Sequence, residues 1–193
     1  MKRICIYCAS SPKVDKTYFK AVEKLAKILV SYDIEVVYGG GAIGLMGQLA
    51  DTIIEKQGKI IGVMPHFMND IEWAHKGVSQ FIFTKTMAER KEKLIENIDG
   101  LIALPGGSGT LEELFEVISL KRLGLYTKPI VILNTNNYYA PLKLMLERCV
   151  EENFMTEKHK DIWTFVDEPE DVMDALKNSV EWDENAIHFA TVR

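Results

Sequence analysis

Short apolar runs alternate along this chain with longer stretches whose apolar positions recur every three to four residues. The runs Arg3–Cys8, Glu35–Tyr38, Ile60–Met64, Gln80–Phe83, Gly100–Leu104, Ile130–Leu133 and Ile162–Val166 have strand length. Between them, Asp15–Tyr32, Leu45–Gln57, Met87–Ile98, Thr110–Leu123, Tyr139–Glu152 and Pro169–Val180 have helical patterns. Tyr18, Val22, Leu25 and Leu29 make one stripe of the first helix. Pro65–Gly77 is less regular. Several strands are apolar on both faces, as parallel strands covered by helices must be. The alternation predicts an α/β, Rossmann-like fold, a doubly wound parallel sheet of about seven strands flanked by helices, with right-handed crossovers. The 193 residues suit one domain, 1–193. Residues 181–193 read as a tail without clear pattern, its Trp182 and Phe189 packing on the domain or on a partner.

The net charge of −5 argues against a nucleic-acid backbone as partner. A small phosphorylated ligand needs only a local positive site and is not excluded. The apolar run Ile4–Ala9 is too short for a signal core, and no apolar stretch reaches membrane-spanning length. No membrane association is expected, and the cytoplasm is the expected location. Cys5 and Cys8 form a C-x-x-C, but residues three apart on a strand face opposite ways and no second pair completes a zinc site. Both read as buried strand thiols, and Cys149 as a helix residue. His66, His159 and His188 have no ligand spacing and read as surface residues. No metal site and no cofactor are expected, although a bound phosphate could bring Mg²⁺ with it.

In an open parallel sheet, ligands sit at the carboxyl ends of the strands. There the first strand runs into Ala9-Ser10-Ser11-Pro12 and the second into Gly39-Gly40-Gly41-Ala42-Ile43-Gly44. The Gly100–Leu104 strand runs into Pro105-Gly106-Gly107-Ser108-Gly109-Thr110. The Gly39–Gly44 loop matches G-x-G-x-x-G, but the next strand ends Val63-Met64-Pro65, without the acid that would hold a dinucleotide ribose. Glycines nonetheless let backbone N–H groups approach an anion at a helix N-terminus. Either loop alone could be a tight turn; two at neighbouring strand ends favour a phosphate or ribose site.

Thr110-Leu111-Glu112-Glu113 reads as a capping box, with Thr110 capping and Glu113 reaching back. Leu111, Leu114, Phe115 and Ile118 form one apolar stripe, and Glu113, Val117 and Leu120 lie on another face. A helix apolar on two faces is covered on both, which places Glu113 at the mouth of a covered pocket. Thr86-Met87-Ala88-Glu89 is a second capping box. It sets Arg90 and Lys91 early in a helix, where the dipole disfavours cations by about 0.3–1 kcal/mol each. They are either solvated bases or, for Arg90, a fork reaching an anionic ligand or Glu113. Glu72, His75 and Lys76 lie in the irregular loop, as solvent-facing polar residues or as part of a lid or base pocket.

Met87-Ala88-Glu89-Arg90-Lys91, followed by Pro105-Gly106-Gly107-Ser108-Gly109-Thr110-Leu111-Glu112-Glu113, resembles the Lonely Guy family of cytokinin riboside 5′-monophosphate phosphoribohydrolases. Relatives of that family carry the description "possible lysine decarboxylase". Its patterns M-x-x-R-K and P-G-G-x-G-T-x-x-E both occur in full. Tyr38-Gly39-Gly40-Gly41 and Gly44-Leu45-Met46-Gly47 also resemble its second-strand loop. The resemblance runs from about Ile4 to Phe154. It implies a Rossmann-like fold, a homodimer at minimum, and hydrolysis of nucleoside 5′-monophosphates (AMP, cytokinin riboside 5′-monophosphates or both) to free base and ribose 5-phosphate. It implies Arg90 and Glu113 as catalytic residues. It sets Pro105, Gly106, Gly107, Ser108, Gly109 and Thr110 around the phosphate, with Ser10, Ser11, Gly39, Gly40, Gly41, Gly44, Met87 and Lys91 on the nucleotide. Ala9 stands where the family usually has glycine. The loop Asn69-Asp70-Ile71-Glu72-Trp73-Ala74-His75 departs from the plant-type sequence apart from Glu72, an equivalent substrate-binding position. The alternative is a non-catalytic nucleotide or molybdenum-cofactor carrier with similar glycine loops, which would need no positioned carboxylate.

Overall fold

A computed structural model describes residues 1–69 and 73–190. Its strands are β1 (Arg3–Tyr7), β2 (Glu35–Tyr38), β3 (Ile60–Pro65), β4 (Gln80–Thr84), β5 (Gly100–Ala103), β6 (Ile130–Leu133) and β7 (Thr164–Val166). The helices are α1 (Lys16–Ser31), α2 (Gly44–Glu55), α3 (His66–Asn69), α4 (Met87–Ile95), α5 (Ser108–Arg122), α6 (Ala140–Glu151) and α7 (Val172–Asn178). All seven strands pair in parallel, in the order β4-β3-β2-β1-β5-β6-β7. The order reverses between β1 and β5, so the loops leaving these two strands diverge and open a crevice at their carboxyl ends.

The central strands are buried along nearly their whole length, which is why their sequences are apolar at successive positions. Two hydrophobic clusters sandwich the sheet. One joins Ile4, Ile6 and Cys8 of the first strand and its extension to α1, α2 and α7; the other joins Cys5 and Tyr7 to α5. Cys5 and Cys8 therefore lie on opposite faces, both buried and free. Asp15 caps α1 by accepting from the Thr17 N–H at 2.8 Å. Several predicted elements shorten, and the helix from Met87 ends at Ile95 rather than Ile98. Ile162 ends a 3₁₀ turn before β7, and Pro169–Asp171 form another before α7. The irregular stretch after β3 contains the single turn α3.

The tail packs on the domain. Trp182 is buried, and its Nε1–H donates to the Lys121 carbonyl at 2.6 Å. Arg122 donates to the Ala190 carbonyl through Nε at 2.9 Å. His159 is fully buried, contrary to the surface placement expected from its lack of ligand spacing. The Thr156 N–H donates to its Nδ1 at 2.8 Å, a partner three residues away that replaces water.

Lys121 is also buried. Its Nζ donates to the Lys128 carbonyl at 3.0 Å and lies 5.7 Å from the Trp182 ring centroid. Burial disfavours the ammonium and brings its pKa from 10.5 down to about 8. The unfolded chain then binds the extra proton between these values, so this contribution to stability increases as pH rises from about 8 to 10.5. Charging the group costs the fold about 3 kcal/mol at neutral pH, net of the contacts the ammonium makes, while removing the side-chain nitrogen strands the Lys128 carbonyl at about 1–2 kcal/mol. Lys121→Met should therefore raise stability near pH 7 by about 1–2 kcal/mol and flatten the alkaline rise, as read by urea unfolding across pH.

Candidate active site

The carboxyl ends of β1, β2 and β5 and the first turns of α4 and α5 enclose a cleft of about 310 Å³. Of the residues expected from sequence, Ser10, Gly39, Met87, Arg90, Gly107, Ser108, Gly109, Thr110 and Glu113 line it. So do Tyr7, Cys8, Ala9, Met46, Met68 and Glu112. The β1 residues could have been found from their place at a strand's carboxyl end; Met46 and Met68 carry no chemical signature in the sequence. Ser11, Pro105 and Gly106 line an adjoining apolar recess of about 230 Å³ with Tyr18 and Tyr138. Lys91, Gly40, Gly41 and Gly44 line neither cavity. Glu72 lies outside the described residues.

The two glycine loops differ in what their helix N-termini offer. At α2, the Leu45 and Met46 N–H groups donate to the Ala9 carbonyl at 3.0 and 3.2 Å. Gly44, at φ +68°, allows this approach, since a Cβ there would lie 2.4 Å from the Ser10 carbonyl carbon. The expected anion-binding role of this helix start is thus corrected: its amides hold the β1 loop. Gly40 and Gly41 hold the segment after α3, where the His75 N–H donates to the Gly40 carbonyl and the Ala42 N–H to the Trp73 carbonyl, each at 3.0 Å. Gly39 makes room for Arg90, whose Nη2 would lie 2.5 Å from a Cβ there.

At α5 the N-terminus is open. The helix begins at Ser108 with Gly107 at its N-cap and no side-chain cap bond. This overturns the capping box, because Thr110 and Glu113 sit one turn deeper, where both are buried. A Cβ at Gly106 would strike Thr110, yet one at Gly107 or Gly109 would meet nothing within 4 Å. Those two positions are bare because the cleft is there, beside first-turn amides that have no helical acceptor. Gly109→Ala should accordingly leave the fold intact, or stabilise it by up to about 1 kcal/mol. Inorganic phosphate binding should weaken about 10–100-fold by calorimetry, through loss of amide contacts to a charged group. Unchanged binding would remove the anion from this loop.

Arg90 and Glu113 meet beneath this open end. They are 7% and 9% exposed, and Nη1 of the arginine donates to Oε1 of the glutamate. Nε donates to the Val63 carbonyl at 3.1 Å, tying the guanidinium to β3. Thr86 caps α4 by accepting from the Glu89 N–H at 3.1 Å, while Glu89 accepts from Lys85 rather than from Thr86. This fixes the turn that carries Arg90. Burial raises the Glu113 pKa above its ordinary value, and the charge and hydrogen bond of Arg90 oppose the rise. Burial also raises the pKa values of Cys5, Tyr7 and Cys8 around it, so these groups stay neutral and add no second charge. The apolar stripe of α5 is divided: Leu114 and Ile118 are buried with Glu113 and Val117, while Phe115 is 41% exposed. Among the described residues, no three His, Cys, Asp or Glu side chains gather to hold a metal ion, and no helix is long and apolar enough to cross a membrane.

Among the described residues, a Rossmann-like sheet, an uncapped glycine-rich helix start at its switch point and a buried arginine–carboxylate pair beneath it define an α/β protein with a cleft at the carboxyl ends of its strands. The sequence model described as "Possible lysine decarboxylase" matches residues 46–176. Curated relatives include cytokinin riboside 5′-monophosphate phosphoribohydrolase LOG1 of Arabidopsis thaliana, 40% identical over 80% of this chain and 73% of its own. A probable enzyme of the same name from Oryza sativa subsp. japonica, LOGL3, is 38% identical over 93% of this chain and 85% of its own. The chain belongs to this family, the Lonely Guy family. Among solved structures, the molybdenum cofactor carrier protein of Chlamydomonas reinhardtii shares the fold. Its TM-score is 0.69 at 18% identity, over 91% of this chain and 96% of that one.

Proposed function

We propose that the protein hydrolyses the N-glycosidic bond of nucleoside 5′-monophosphates, AMP and cytokinin riboside 5′-monophosphates, releasing free base and ribose 5-phosphate. The observation that carries this is the buried Glu113 carboxylate directly beneath an open helix N-terminus. A phosphate bound at the first turn of α5 directs the ribose toward that carboxylate, and its binding energy orients the sugar. As the C1′–N bond breaks, its electron pair leaves with the base and positive charge develops on the ribose. Glu113 faces that charge and orients the incoming water, whose hydroxyl joins C1′ while a proton passes to the base. Arg90 holds the carboxylate in place from α4. Water is the only co-reactant. Ser10, Ser11, Thr110 and the glycines of the Pro105–Thr110 loop surround the phosphate in this reading, and Met87 borders the base.

The naming of the curated relatives supports the reading. The fold shared with carrier proteins does not oppose it, because a carrier has no use for a positioned carboxylate. We further infer a homodimer in the cytoplasm. The half-exposed Phe67, Trp73 and Met87 near the cleft suit a partner surface, and buried free thiols suit a reducing compartment. The test is to incubate the purified protein with AMP and with isopentenyladenosine 5′-monophosphate, beside the matching nucleosides, and follow free base by chromatography. Base from the monophosphates alone supports the proposal. Nucleotide bound without any base released overturns it in favour of a carrier.

A further inference from the structure

Three successive carbonyls of the loop from β5 into α5 accept hydrogen bonds from other elements. The Tyr139 hydroxyl donates to the Leu104 carbonyl at 2.7 Å, the Ala9 N–H to the Pro105 carbonyl at 3.3 Å, and the Tyr138 hydroxyl to the Gly106 carbonyl at 2.6 Å. The two tyrosines are consecutive and come from the turn between β6 and α6. Asn136 and Asn137 of that turn both have φ +56°, a left-handed backbone that asparagine tolerates better than most residues. Asn134 closes the turn: its Oδ1 accepts from the Tyr139 N–H at 2.7 Å, and its Nδ2 donates to Asp167 at 2.9 Å. The Tyr138 ring packs edge-on against Tyr18 and Tyr139, with centroids 6.0 and 4.9 Å away. Tyr139 is buried, but Tyr138 is 40% exposed, so little of the fold depends on its hydroxyl.

The Gly106 carbonyl shares one planar trans peptide with the Gly107 N–H, and the two point in opposite directions. Tyr138 lines the apolar recess, whereas Gly107 borders both the recess and the cleft. A carbonyl held toward Tyr138 therefore turns the Gly107 N–H to the cleft side. Glycine stands on both sides of this peptide, so little torsional cost opposes rotation of its plane. A rotated plane would bring the carbonyl oxygen to the cleft and present negative charge to an anion. We infer that Tyr138 is a positioning residue: its hydroxyl locks the Gly106–Gly107 peptide with the N–H toward the bound phosphate, and polarises that peptide into a stronger donor. The inference rests on the phosphate site proposed above at the first turn of α5. Tyr139 supplies the contrast. Its acceptor, the Leu104 carbonyl, precedes Pro105, so that peptide has no N–H to aim.

The experiment compares Tyr138→Phe and Tyr139→Phe with the wild type by calorimetry with inorganic phosphate and by steady-state kinetics on the better monophosphate substrate. It adds a crystal structure of the Tyr138→Phe protein without ligand. In Tyr138→Phe the Kd for inorganic phosphate should rise about 10-fold, as for loss of one hydrogen bond to a charged group. KM should rise by a similar factor with kcat within about twofold of wild type, because the contact is made alike in ground and transition states. The urea midpoint should stay where it is, and the Gly106–Gly107 peptide should be rotated or occupy two orientations. Tyr139→Phe should instead lower the urea midpoint and leave the phosphate Kd within about twofold. An unchanged phosphate Kd in Tyr138→Phe would overturn the inference. Equal losses of affinity in both variants would also overturn it, by making the tyrosines general supports of the loop. If the wild type binds no phosphate, the proposed anion site fails, and the orientation of the Gly106–Gly107 peptide in Tyr138→Phe still decides whether the hydroxyl holds it. A single wild-type orientation there would overturn the inference.

Discussion

Glu113→Gln is expected to lower kcat for base release by about 10²–10⁴-fold while KM and nucleotide affinity stay within about threefold of wild type. Glutamine keeps the size of the side chain and an oxygen for Arg90, but not the charge that faces an electron-poor ribose. In the proposed site the α5 amides hold the phosphate and the carboxylate does not, so binding should survive. The wild-type profile carries the same signature. Burial raises the Glu113 pKa, so the ionised form appears at higher pH than for an ordinary glutamate, and kcat should climb with pH through that higher midpoint. The variant should lose this limb. Equal losses of affinity and turnover would instead make Glu113 a binding residue.

Arg90→Met carries the second large effect, on stability. Removing one member of a buried ion pair strands the other and costs about 3–5 kcal/mol. The cost should depend on pH in a defined direction. A carboxyl whose folded pKa is raised binds its proton more tightly in the native state, so it adds stability at low pH that is lost as pH rises through the folded value. Without Arg90 the raise grows, because the charge that opposed burial is gone. Urea unfolding should therefore show the largest deficit at neutral pH and a smaller one as pH falls through the raised Glu113 value, where the stranded carboxyl takes up its proton. Adding Glu113→Gln to Arg90→Met should recover part of the loss. A deficit independent of pH would mean that the arginine acts through its contact with Val63 and its packing alone.

The sheet was readable because its central strands are buried on both faces, and Val36, Val37, Ile102 and Val131 carry that burial in their own chemistry. Glu113 and Arg90 were readable as a motif, and the glycine loops as strand-end features. What escaped depends on contacts distant in sequence. Whether a glycine-rich helix start is open cannot be read from the glycines: α2 loses its amides to Ala9, thirty-odd residues away, while α5 keeps its own. The start of α5 was misjudged because Gly107, Ser108 and Gly109 are weak helix formers and Thr110 with Glu113 imitates a cap. His159 looked like a surface residue because nothing in its spacing reveals that the Thr156 N–H supplies its partner.

Helix α5 serves two ends of the molecule. Its first turn faces the cleft, and its last residues receive Trp182 and Ala190 through the Lys121 carbonyl and the Arg122 guanidinium. The residues that brace this helix from behind lie 61 and 68 positions further along the chain, so a nascent polypeptide carries a complete glycine loop and Glu113 well before it carries their buttress. A truncation upstream of Trp182 would remove the prop from the helix on which Glu113 stands.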